Sequence, residues 1–222
     1  MSLIKAVLLD LDGTLVDTAP DFVVTVNQLL RQHGRDEIAS ERIRKSVSQG
    51  ARALVTLAFQ REEGAEGFED LRQQLLDLYE KNLSCASTLF PGIYEFLQQL
   101  QAHDIAWGIV TNKPSRFTMP LMALTKLPCP PSTVICPDHV SVPKPDPEAL
   151  QLACRELGCK ASEAIYIGDH RRDIECGRNA GMETIAAAYG YIGDGDSAES
   201  WNASYLVEHP KELWAIINTK RH

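Results

Sequence analysis

Asp10 and Asp12 follow a short apolar run, Ile4–Leu9, and Thr111 and Asn112 follow a second, Ile105–Val110. Lys144 sits among prolines in Val142-Pro143-Lys144-Pro145-Asp146-Pro147, and Asp169 and Asp173 come after the run Ala164–Ile167. Four segments thus supply four carboxylates, one hydroxyl, one amide and one ammonium group. Carboxylates with no paired His and Cys beside them suit a hard divalent ion. Mg²⁺ takes an octahedron of oxygens at roughly 2.0–2.1 Å and keeps several waters, whereas zinc and copper favour nitrogen and sulfur. A lysine and a hydroxyl beside such an ion suit a phosphoryl group, which is strongly anionic near its transition state. A carboxylate at the tip of a strand can attack phosphorus and form an aspartyl-phosphate. A second carboxylate two residues on can act as general acid and then as general base.

These groups meet only if the apolar runs are parallel strands of one sheet, since an open α/β sheet binds ligands beyond the carboxyl ends of its strands. The pattern predicts such a sheet. Ile4–Leu9 is almost continuously apolar, as in a strand buried on both faces. After Phe90-Pro91-Gly92, strands are predicted at Ile105–Val110, Thr133–Cys136, Ala164–Ile167, Thr184–Ala187 and Tyr205–Val207. Helices alternate with them, around Ile93–Leu100, Met119–Lys126, Pro147–Leu157, Arg172–Ala180 and Lys211–Asn218. That alternation reads as a doubly wound parallel sheet of the α/β class. Residues 17–88 break it. Thr18 is placed as a helix N-cap, and Phe22, Val26, Leu29 and Leu30 then recur at helical spacing until Gly34. Helices at Glu41–Val47, Ala51–Phe59 and Phe68–Asn82 follow, with no strand predicted among them. The expected organisation is a core of residues 1–16 and 89–222, with an all-helical unit of residues 17–88 inserted after the first strand.

Composition narrows the function classes. At about 150 residues per domain, 222 residues make one large domain or one domain with an insert. With 44% hydrophobic and 23% charged residues, the chain has a globular composition rather than a disordered one. Thirty acidic against 22 basic residues leave a net charge of −8, which argues against a nucleic-acid partner. No apolar stretch approaches the ~20 residues of a membrane span. The start, Met1-Ser2-Leu3-Ile4-Lys5, lacks a signal-peptide design, so a cytoplasmic location is expected. The six cysteines include no Cys-x-x-Cys pair and read as reduced thiols. Gly190-Tyr191-Ile192-Gly193-Asp194-Gly195 is glycine-rich but lacks the spacing and first-strand position of a dinucleotide loop.

Taken together, the motifs resemble those of the haloacid dehalogenase-like phosphatases. Asp10-Leu11-Asp12-Gly13-Thr14-Leu15-Val16-Asp17-Thr18 is similar to the family's first motif and Thr111-Asn112-Lys113 to its second. Lys144 in Lys144-Pro145-Asp146-Pro147 resembles the third, and Gly168-Asp169-His170-Arg171-Arg172-Asp173 the fourth. The resemblance spans essentially the whole chain and is similar in pattern to phosphoglycolate phosphatases. It implies a Rossmann-like core with a C1-type helical cap. It implies Asp10 as nucleophile and metal ligand, and Asp12 as acid/base with its backbone carbonyl on Mg²⁺. Thr111 and Asn112 would hold phosphate oxygens, and Lys144 would neutralise phosphate and nucleophile. Asp169 would ligate the metal, supported by Asp173, while Gly13 and Thr14 shape the turn.

At position 170 the pattern departs from the phosphoglycolate type, which has a small hydroxyl residue there. His170-Arg171-Arg172 resembles relatives acting on N-acetylmuramic acid 6-phosphate. Gln49, Gly50 and Arg52 in the insert join His170 as specificity candidates, because Gly50 can break a helix over the site and a guanidinium forks onto a carboxylate. The implied activity is Mg²⁺-dependent hydrolysis of a small phosphorylated metabolite by a monomer or homodimer. Phosphoglycolate is one expected substrate and N-acetylmuramic acid 6-phosphate the alternative. A phosphomutase would use the same residues, and a silent binding protein would have lost one of them. A dehalogenase needs neither Mg²⁺ nor an acid at position 12.

Overall fold

The structure is a computed structural model and describes residues 3–220. Met1 and Ser2, which belong to the amino-terminal reading above, lie outside the described residues. The chain begins with β1 (Ala6–Leu9) and β2 (Val16–Asp17), then four helices: α1 (Ala19–Gln32), α2 (Ser40–Ser46), α3 (Gly50–Phe59) and α4 (Phe68–Lys81). Next come β3 (Thr88–Leu89), α5 (Ile93–Ala102), β4 (Ala106–Val110), α6 (Ser115–Leu124) and β5 (Thr133–Ile135). The rest is α7 (Glu148–Leu157), β6 (Ala164–Gly168), α8 (Arg171–Asn179), β7 (Glu183–Ala187), β8 (Tyr205–Val207) and α9 (Leu213–Thr219).

Six strands form one parallel sheet in the order β5-β4-β1-β6-β7-β8. The fold is the α/β, doubly wound, Rossmann-like one. β1 lies at the switch point, since the chain builds outward to β4 and β5 on one side and then to β6 and beyond on the other. Both faces of β1 are buried, which is why its residues read as a continuous apolar run. Val7 and Leu9 pack with Phe96 and Leu100 of α5, Phe117 of α6 and Leu213 of α9. Ala6 and Leu8 face Leu150 and Ala153 of α7 and Cys176 of α8. The register pairs Leu9 with Ile109 on one side and with Ile167 on the other, so three strands end level. That is why Asp10, Thr111 and Asp169 emerge at one edge.

Three local features differ from expectation. β2 and β3 pair antiparallel, Val16 with Leu89 and Asp17 with Thr88, where no strands were expected. Two residues are too few to show a period. The pair brings together the two ends of the segment holding α1–α4. Helix α6 begins at Ser115, four residues ahead of the expected Met119. Pro114 precedes it in extended form, and the Ser115 N–H donates to the Asp138 carboxylate at 3.2 Å. Pro120 lies inside the helix and removes one backbone donor there without ending it. Thr18 does stand before α1, with Pro20 in the first turn, but it makes no side-chain cap bond. Its hydroxyl donates to Asp12 instead.

Among the described residues no helix is long and apolar enough to cross a membrane. All six cysteines are free.

Candidate active site

The loop after β1 supplies Asp10 and Asp12. The Asp10 N–H donates to the Ile167 carbonyl at 2.9 Å, carrying the strand pairing one residue past β1. On the side chain, Oδ1 accepts from Leu11 N–H at 2.7 Å and faces Lys144 Nζ at 3.0 Å. Both contacts land on one oxygen. Burial raises the Asp10 pKa to about 6, and Lys144 holds it below where burial alone would put it.

Lys144 is itself 4% exposed. Its ammonium group contacts Asp173 Oδ1 at 2.7 Å and Tyr166 Oη at 2.7 Å, and lies 3.1 Å from the Val110 carbonyl. Burial opposes its charge, but Asp10 and Asp173 outweigh that and raise its pKa. The Lys144 backbone is fixed by Asn112, whose amide accepts from Lys144 N–H at 3.1 Å and donates to Lys144 C=O at 3.1 Å. Both ends of the Asn112 carboxamide are therefore engaged with the lysine loop, where a phosphate contact was expected. Thr111 accepts the Lys113 N–H at 3.1 Å, which leaves its hydroxyl proton available to a ligand.

Asp169 is 1% exposed. It accepts from Thr14 Oγ1 at 3.0 Å and from Tyr191 N–H at 2.8 Å. Room for it comes from two glycines. A Cβ at Gly13, whose φ is +83°, would lie 2.1 Å from Asp169 Oδ2, and one at Gly190 would lie 2.2 Å from Asp169 Cβ. The Gly190-Tyr191 stretch is thus a wall of this site. Asp173 caps α8 by accepting His170 N–H at 3.1 Å while it holds Lys144.

Carboxylate oxygens of Asp10, Asp169 and Asp173 lie within 4.8 Å of one another. Lys144 is the cation in contact with Asp10 and Asp173. When all three are ionised, three carboxylates against one ammonium leave an excess of two negative charges, which a divalent cation balances. Burial, then the charges of Asp10 and Asp173, push the Asp169 carboxyl well above the usual range. The donor set and its charge fit a hard cation.

Asp12 has partners that sequence alone did not supply. Its carboxylate accepts from Thr18 and from Lys113 Nζ at 3.0 Å. Lys113 in turn contacts Tyr79 Oη of α4 at 2.7 Å and lies over the Tyr79 ring, 4.6 Å from its centroid. Tyr79 stacks on Phe22 of α1 at 4.1 Å. Lys113 adjoins Thr111-Asn112, which is its only signal in the sequence. Tyr79 reads there as one of several apolar positions on α4.

A cavity of about 450 Å³ lies over these groups. Asp10, Asp12, Thr111, Lys144 and Asp169 line it from the sheet edge, and Gln49, Gly50, Arg52 and Tyr79 from the helical segment. Gly50 begins α3 at φ +83° after a short 3-10 turn, a helix break at the cavity as expected. Gln49 is exposed. Arg52 reaches the cavity but is held by Glu63 and Glu69, each at 2.6 Å. His170 serves as an acceptor: its Nδ1 takes the Arg172 N–H at 3.1 Å and Nε–H at 3.2 Å. Burial, and then Arg172, lower its pKa to about 4, so it is neutral near pH 7. The Arg172 guanidinium also donates to the Ser48 carbonyl, joining the fourth loop to the helical segment.

Comparison with known proteins agrees with this geometry. Residues 7–187 match the family described as haloacid dehalogenase-like hydrolase. An N-acetylmuramic acid 6-phosphate phosphatase of Pseudomonas putida is 43% identical over 97% of this chain and 97% of its own. A phosphoglycolate phosphatase of Xanthomonas campestris is 40% identical, with 95% of each chain covered. The crystal structure of a predicted phosphoglycolate phosphatase from Haemophilus somnus shares the fold, with a TM-score of 0.85 at 22% identity over 97% of this chain and 99% of that one. The chain belongs to the haloacid dehalogenase-like hydrolase family, among its phosphoglycolate phosphatase-like members.

Proposed function

We propose that this phosphatase hydrolyses a small phosphate monoester that also bears a carboxylate, through an aspartyl-phosphate on Asp10. The observation that carries the reading is the pairing of Asp10 with Lys144, 3.0 Å apart, under a cavity of about 450 Å³. Asp10 attacks phosphorus, an Asp10 O–P bond forms and the ester P–O bond breaks. Asp12 gives its proton to the departing alkoxide. Water then attacks the phosphorus of the aspartyl-phosphate and loses its proton to Asp12, while the Asp10 O–P bond breaks to release phosphate and restore the Asp10 carboxylate. Lys144 offsets the charge on the phosphoryl group, and the Thr111 hydroxyl donates to one of its oxygens. Asn112 and Asp173 position Lys144. Asp10, Asp169 and the Asp12 backbone carbonyl would hold Mg²⁺, which supplies further charge for phosphate binding. Helices α1–α4 act as the cap that keeps water from the bound ester.

Two esters fit this class. N-acetylmuramic acid 6-phosphate is favoured by the cavity, whose volume lies within the roughly 300–1,000 Å³ of small-molecule sites, and by the relative bearing that name. Phosphoglycolate is the second reading, favoured by the relative at 40% identity.

The test is phosphate release with Mg²⁺ from N-acetylmuramic acid 6-phosphate, phosphoglycolate, hexose phosphates, nucleotides and an aryl phosphate. EDTA and Asp10→Asn are the controls. A carboxylated ester is expected to lead in kcat/KM, with both controls inactive. No release from any ester would favour a phosphomutase or a binding protein.

A further inference from the structure

We infer that Arg116 is the residue that binds the substrate's carboxylate. The inference rests on the phosphatase reading above and adds the specificity residue to it. Six Lys and Arg side chains line the large cavity: Arg52, Arg72, Lys113, Arg116, Lys144 and Arg172. Five of them have polar partners. Arg52 is held by Glu63 and Glu69, and Arg72 by Glu69 at 2.6 Å. Lys113 faces Asp12, and Lys144 faces Asp10 and Asp173. Arg172 is fixed by His170 and the Ser48 carbonyl. Among the described residues, Arg116 has only the Phe117 ring, 4.4 Å from its guanidinium carbon.

The position of Arg116 gives a second, independent indication. It lies in the first turn of α6, which has no acidic residue there. A cation at a helix N-terminus meets the positive end of the helix dipole and is mildly destabilising. The nearby Asp138 carboxylate takes the Ser115 N–H and not the guanidinium. Helix stability therefore does not account for an arginine at this position. Arg116 is exposed and lines the cavity, so its charge is free to meet an anion there. Arg116 follows Thr111 by five residues, on the helix that the phosphate-side loop leads into. A phosphate seated between Thr111 and Lys144 would share its cavity with Arg116, which lines the same space. A guanidinium without a partner can receive a carboxylate there through two parallel N–H bonds.

N-acetylmuramic acid 6-phosphate and N-acetylglucosamine 6-phosphate differ in the lactyl ether that carries the carboxylate, which makes them a matched pair. Arg116→Ala is expected to raise KM for the first by about 10- to 100-fold, as for loss of a charge-assisted hydrogen-bonded pair. KM for the second and kcat for an aryl phosphate stay within twofold. Arg116→Lys recovers part of the loss, and Arg52→Ala changes KM little, because its guanidinium is already paired. Equal effects of Arg116→Ala on both sugars, or no effect on either, would overturn the inference. Calorimetry in the Asp10→Asn background separates it from the phosphatase reading. If no ester is hydrolysed but Arg116→Ala weakens binding of the carboxylated sugar alone, the carboxylate site stands and hydrolysis does not. Equal weakening of both sugars in that background removes Arg116 as the carboxylate site whatever the turnover.

Discussion

In the proposed mechanism Asp12 delivers a proton to the leaving group, so what holds Asp12 matters as much as its identity. Lys113 and Thr18 both bond its Oδ1, and Lys113 is held by Tyr79 from α4. A carboxylate oriented from two sides keeps one geometry, and misplacement by about 1 Å can lower a rate by roughly 100-fold. Lys113→Met keeps the stem packed over Phe22 and Tyr79 but removes the charge. We expect kcat to fall about 10- to 100-fold, with KM for an aryl phosphate nearly unchanged. Steady-state kinetics on one aryl phosphate checks this, and a change confined to KM would place Lys113 in ground-state binding instead. Asp10 and Asp169 were legible as chemistry because each directly follows a buried apolar strand, and Lys144 because it stands between two prolines. Lys113 was visible only as a neighbour of Thr111-Asn112. Tyr79 was hidden, because its spacing on α4 is that of any buried face.

The segment holding α1–α4 is tied to the core where it leaves and where it returns. Where it leaves, Arg44 grips Asp17 through both oxygens at 2.8 and 2.9 Å, and the Tyr191 hydroxyl donates to Asp17 at 2.7 Å. Where it returns, Asp21 of α1 is fully buried and accepts from Ser84 N–H at 2.6 Å, Ala86 N–H at 2.7 Å and the Ser87 hydroxyl. Asp21→Ala leaves these donors without their acceptor, and each buried unsatisfied donor costs roughly 1–3 kcal/mol. Destabilisation of about 3 kcal/mol is expected in a urea or thermal melt. A loss under about 1 kcal/mol would mean that water replaces the carboxylate. Asp21 gives no signal of this role in the sequence, since its partners lie more than 60 residues away. Strands β1, β4, β6 and β7 were legible because each is long and apolar enough to show its burial, and the three-residue β5 and β8 because they alternate with helices. The β2–β3 pair was not, and α6 was placed late because Pro120 obscured a helix that starts before it.

For the molecule as a whole, folding gathers Asp10, Asp169 and Asp173 against one lysine, and their full ionisation leaves two negative charges uncompensated. An acidic chain of net charge −8 adds to that repulsion. A divalent ion should therefore stabilise the native state as well as bind substrate. At about 100 times its Kd an ion adds roughly 2.7 kcal/mol, which for a chain of this size is a rise in Tm of about 5–10 °C. Calorimetry with Mg²⁺ and with EDTA measures the shift. Asp169→Asn should abolish it, and an unchanged increment in that variant would move the ion elsewhere.

Asp169 sits between Gly13 and Gly190, segments from near the two ends of the chain. A ribosome therefore exposes Asp10, the proposed nucleophile, long before the last wall of its pocket. Nascent chains and proteolytic fragments that stop short of Gly190 carry most of the reactive groups without the enclosure that orients them. Enclosure of the site therefore waits on a segment that follows every one of its reactive groups along the chain.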